Sequence, residues 1–156
     1  MRERYDKLEE FCSEFKLTDL PPSPELFFNK AWEVVRELEG SFPHTNMLLS
    51  FLRERSPNPE EAQAVEKRVN ELRREFSSTM NELREVLERL ERRWSSLGIY
   101  RHKDVLSEVR PQLVKAVGLL NAMKREICGL IGIFELWSDV KIEQAKYTPI
   151  MGGFRQ

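Results

Sequence analysis

The chain has 156 residues, a formal net charge of −1, 33% charged side chains and 40% hydrophobic ones. Near-neutral charge excludes a broadly basic nucleic-acid or anionic-lipid binder, and nine Phe, three Trp and three Tyr exclude a wholly disordered chain. The length suits one domain with its own core, and the high charge fits helices with a wet outer face.

The charge is uneven along the chain. Residues 1–40 carry ten acidic and six basic side chains, whereas residues 98–156 carry six acidic and nine basic. MRERYDKLEE at the start is charged rather than apolar and reads as no secretory signal, and ICGLIGIF at 127–134 is too short to span a bilayer. Cys12 and Cys128 form no metal-binding or redox spacing. They read as reduced, with Cys128 a small core residue, and a disulfide joining the terminal regions is the alternative. The compartment reading is intracellular, cytoplasm or nucleus.

In chain order, the first predicted helix covers residues 3–16, with Tyr5, Leu8, Phe11, Cys12 and Phe15 on one face. Lys16 to Pro22 reads as a connector, because Pro21–Pro22 removes backbone donors and favours extended geometry. Ser23 can cap the next helix, Pro24 fits its first position, and Glu25 suits its positive end. Phe28, Ala31, Val35 and Leu38 recur on one face, widened by Phe27, Trp32 and Val34, until Gly40 offers an exit. A shorter helix is predicted around Thr45 to Arg55, containing Met47, Leu48, Phe51 and Leu52.

The longest pattern runs from Pro59 to Leu97 without an internal Gly or Pro. Asn58 can cap, Pro59 wastes no donor, and Glu61 completes a capping-box-like start. Ala62, Val65, Val69, Leu72, Phe76, Met80, Leu83, Leu87, Leu90, Trp94 and Leu97 form an apolar stripe. The Phe76–Met80 step interrupts a strict heptad unless Thr79 substitutes, which favours intrachain packing over a pure coiled coil. Such a helix is about 58 Å long and needs a long partner. Gly98 ends it, and Ile99 to Lys103 can reverse the chain. A main last helix is predicted from Pro111 to Val140 after a short helical turn. Its face comprises Leu113, Val117, Leu120, Met123 or Lys124, Ile127, Ile131, Phe134 and Trp137, thickened by Val114, Leu130 and Leu136.

These elements predict an all-α, irregular four-helix-bundle-like domain dominated by a long antiparallel helical hairpin. Residues 1–146 form a single helical domain with a proline-rich connector near 20–24. Residues 147–156 form an extended tail, because Pro149 and Gly152–Gly153 do not continue a helix. Tyr147, Ile150, Met151 and Phe154 supply apolar anchors there, either to pack back over the bundle or to enter a partner groove.

Catalytic signals are poor. His44 and His102 lie in different connectors, and no phosphate-cradling loop, zinc motif or calcium loop is present. The reading leans away from an enzyme, leaving open a site assembled from distant residues, and expects no cofactor and no metal. Arg84, Arg89, Arg92, Arg93, Arg101 and Lys103 make the turn region more basic, but Glu85, Glu88 and Glu91 interrupt the field. The functional expectation is a helical protein-interaction or complex-assembly domain, a scaffold with a protein partner and optional homo-oligomerisation. Its candidate interface is Phe76, Leu87, Arg89, Arg92, Arg93, Tyr147, Ile150, Met151 and Phe154. The alternative is a structural or nucleic-acid-associated bundle using the basic turn.

Overall fold

The computed structural model describes residues 12–56 and 58–145. Among the described residues Cys12 is helical, and four further helices follow: α1 Pro24–Gly40, α2 Phe42–Arg55, α3 Pro59–Leu97 and α4 His102–Ala145. No strand occurs among the described residues. The all-α architecture built on a long helical hairpin is therefore as the hydrophobic periodicity predicts.

The ends of α3 form for the expected reasons. The Glu61 N–H donates to Asn58 Oδ1 at 3.3 Å, and Pro59 occupies the first turn. At the other end Gly98 takes a left-handed φ of 68°, letting its N–H reach the Trp94 carbonyl at 2.8 Å. Helix α4 returns antiparallel after a short connector. Two ion pairs fix that direction: Arg89 bonds Glu108 and Arg68 bonds Glu126, so numbers fall on α3 as they rise on α4. Arg89 thus pairs across the hairpin.

The core lies along this seam and under α1. Ala62, Val65, Val69, Phe76, Met80, Leu83, Leu87 and Leu90 of α3 are buried, and Thr79 is buried among them, which carries the seam across the interrupted heptad step. Leu72 and Trp94 are half-buried against the core. Helix α4 contributes Val105, Val109, Leu113, Ala116, Leu120, Met123 and Ile127, while α1 contributes Phe27, Phe28, Ala31, Val34, Val35 and Leu38. Fully burying one such side chain stabilises by about 1.5–3 kcal/mol, far above the value of any surface ion pair here.

Several expectations are corrected. Helix α4 begins at His102 and runs through Pro111 rather than starting there. Val105 and Val109 precede the proline and Leu113 and Ala116 follow it, all buried, so packing on both sides offsets the lost backbone bond. Val114 does not thicken the core but is exposed. Helix α2 starts at Phe42, close behind α1, because Ser41 keeps right-handed helical geometry and its carbonyl accepts from the Thr45 N–H. The side chains of Phe51, Leu52, Leu130, Ile131, Phe134, Leu136 and Trp137 lie outside the described residues.

The predicted helix over 3–16 is corrected at its described end, since residues 14–21 are not helical. Its earlier part lies outside the described residues. Cys12 is still helical, and residues 14–20 beyond it run as a non-helical strap along α4. Cys12 is disulfide-bonded to Cys128, the Lys124 ammonium donates to the Ser13 carbonyl at 3.0 Å, and Asn121 holds Phe15. Three chain steps thus match seven helix positions. The strap then reaches Pro24, and Phe27 just beyond it meets His102 at the start of α4. The expectation of two reduced cysteines is overturned by this alignment, which sets their Cα atoms 6.0 Å apart.

Candidate interaction surface

The turn between α3 and α4 and the start of α1 meet at one end of the bundle. An aromatic cluster fastens them. Phe28 stacks on Trp94 with ring centroids 5.7 Å apart, and Phe27 meets His102 edge-on at 5.6 Å. Tyr100 contacts both phenylalanines, and its hydroxyl bonds His102 Nδ1 at 2.9 Å. Burial pushes the Tyr100 phenol above its ordinary pKa. Nearby, the Trp32 indole N–H donates to Glu91 at 2.9 Å, tying α1 to α3.

This packing consumes the aromatic rings and leaves aliphatic side chains outside. Leu97 is 70% exposed, Ile99 52% and Leu26 57%. Each sits where local geometry turns it outward: Leu97 and Ile99 flank the left-handed Gly98, and Leu26 precedes the two buried phenylalanines. Three of the five exposed large hydrophobics among the described residues therefore share one end. The other two, Met47 and Val114, lie on α2 and α4.

Arg92, Arg93, Arg101 and Lys103 are all exposed around the same turn. None of them makes an ion pair among the described residues. Glu25 and Asp104 are exposed acids beside it, and exposed Glu88 lies one helical turn before Arg92. By contrast Arg84 pairs with Glu39 and Arg89 with Glu108, so two cations of the predicted basic region are already compensated.

The candidate residues separate sharply. Phe76 and Leu87 are fully buried at 0% exposure and belong to the α3–α4 seam, not to a surface. The apolar stripe that suggested them is satisfied within the chain. Arg89 spans the hairpin, whereas Arg92 and Arg93 remain at the turn. Tyr147, Ile150, Met151 and Phe154 lie outside the described residues. The stripe reading missed Leu97 by extending the core face through the last residue of α3, and it gave Leu26 and Ile99 no role. A signal was present in Leu97-Gly98-Ile99, where a helix ends between two aliphatic residues with no further helical face to bury them.

No three His, Cys, Asp or Glu side chains gather as a metal site among the described residues. No described helix is long and apolar enough to cross a membrane. Comparison with protein-family models, curated proteins and solved structures finds no match for this chain.

Proposed function

We propose that this chain is a helical protein-interaction module that helps assemble a complex, binding through the end of the bundle at the α3–α4 turn. The observation that carries the reading is that exposed Leu26, Leu97 and Ile99 share one end with Arg92, Arg93, Arg101 and Lys103, which make no ion pair among the described residues. Aliphatic anchors inside a basic rim fit an acidic, amphipathic segment of a protein partner. Apolar contact would supply affinity, while the rim would steer encounter and select against basic surfaces. The hairpin acts as a stiff mount for this end. An intracellular placement, cytoplasmic or nuclear, accompanies this proposal, with the cystine forming there transiently.

The test compares proteins captured from the host cell by the wild-type chain and by L97D/I99D. Both positions are exposed, so the variant should keep the helical signal. A discrete acidic protein retained by the wild type, and lost from both L97D/I99D and R92E/R93E, is the expected result. Identical capture by all three chains refutes the surface. DNA or RNA binding at physiological salt, lost on reversing Arg92 and Arg93, replaces the proposal with the nucleic-acid reading. Light scattering adds a separate outcome: a wild-type dimer that becomes monomeric in L97D/I99D makes the partner a second copy.

A further inference from the structure

We infer that the Cys12–Cys128 bond is a thiol–disulfide exchange site that latches the strap of residues 14–20, which follows Cys12, onto α4. Opening the bond releases the strap without unfolding the hairpin.

The non-covalent hold combines hydrogen bonds to the strap backbone with partly buried apolar contacts. The Phe15 N–H donates to Asn121 Oδ1 at 2.8 Å, and Asn121 Nδ2 donates back to the Phe15 carbonyl at 3.0 Å. Lys124 holds the Ser13 carbonyl at 3.0 Å. Phe15, Leu17 and Leu20 pack against the core but remain only partly buried. Such bonds each contribute modestly, because water replaces them when the strap lifts. The seat itself tolerates water: Asn121 and Lys124 are buried polar groups on α4, and hydration of both is favourable once the cover leaves. Both cysteines are partly accessible rather than enclosed in the core. The structure holds the segment docked, and the covalent bond decides whether it stays so.

The chemistry balances with a dithiol reductant. Its thiolate attacks one Sγ, the Sγ–Sγ bond breaks, and the departing cysteine thiolate takes a proton. The reductant's second thiol then displaces the other cysteine and closes the reductant's own disulfide. The protein gains two electrons and two protons, and the reductant loses them. Because the strap stays tethered at Pro24, the loop that the bond closes in the folded molecule is about a dozen residues. Chain entropy for such a loop corresponds to a shift on the order of 100-fold in the docking equilibrium.

Amide hydrogen exchange on the full chain, with and without dithiothreitol, tests this. Alkylation of two thiols under native conditions should accompany reduction. The Phe15 amide should exchange on the order of 100-fold faster, the helical circular dichroism should stay unchanged without denaturant, and reoxidation should restore the original rates. C12S, which removes the bond without reductant, should reproduce the reduced pattern. Three results overturn the latch: a bond that yields only in denaturant, unchanged Phe15 protection after reduction, or loss of the helical circular dichroism on reduction.

Discussion

Replacing Phe76 with Ala distinguishes an internal seam from an assembly surface. Phe76 is 0% exposed at the middle of α3, with Thr79, Met80 and Leu83 buried next along the same helix. A buried aromatic ring removes about 150–250 Å² from water, which at about 25 cal/mol per Å² amounts to roughly 4–6 kcal/mol. The alanine methyl retains part of that, and partial collapse around the cavity recovers a little more. The surrounding helices are long and packed along their length, so collapse is restricted. The expected loss is about 4 kcal/mol, within the usual range for Phe to Ala in a core. Urea unfolding followed by circular dichroism, without reductant so that the cystine stays closed, should show a midpoint lowered by about 2 M with an unchanged slope near 2 kcal/mol per M. F76L, which keeps most of the volume, should lose much less and covers the case in which F76A fails to fold. A midpoint shift in F76A below about 0.5 M would refute the burial argument.

The cystine spans a sequence separation of 116, so the chain-entropy account gives up to about 5 kcal/mol of global stability. The C12S/C128S chain should therefore unfold at clearly lower urea, and coincidence with the oxidised wild type would contradict the account. Gly98→Ala meets no atom within 4 Å of the new Cβ, so its whole cost is the left-handed φ, about 1–2 kcal/mol. Thermal unfolding should show that loss, and an unchanged midpoint would mean the turn relaxes to another geometry.

The parts of the fold legible in sequence are those governed by local rules repeated over many residues. The Asn58 cap, the Gly98 exit and the 3–4 spacing between Ala62 and Leu90 each point to the same helix, and each is present. Pro111 shows where a strong local rule loses. Its effect on one turn is outweighed by burial of Val105 and Val109 before it, which no short window around the proline weighs correctly. Leu97 shows the opposite failure. Its spacing continues the stripe, but exposure depends on whether the neighbouring helix still lies alongside, and α4 begins only at His102 after the chain has turned. The candidate surface was legible in its charges and not in its apolar anchors, because the sequence does not say which members of a stripe overshoot their partner.

The strap was hidden for a related reason. Tyr5, Leu8, Phe11, Cys12 and Phe15 have helical spacing and Cys12 is helical, yet residues 14–21 are not and follow α4 as a strap. A non-helical segment lying on a helix has no neighbouring strand to satisfy its N–H and C=O groups, so its seat must supply donors and acceptors. Asn121 supplies both to Phe15 through one amide, and Lys124 supplies a donor to Ser13. That explains why the periodic face of α4 is ambiguous at Met123 or Lys124: both are buried, Met123 in the apolar core and Lys124 beneath the strap. Burial holds the Lys124 ammonium below its ordinary pKa, a cost tolerated because the same group binds the Ser13 carbonyl. Two faces of α4 are thus covered by different kinds of neighbour. The side facing helices is apolar because their backbone is already satisfied, and the side facing the strap is polar because the strap's backbone is not.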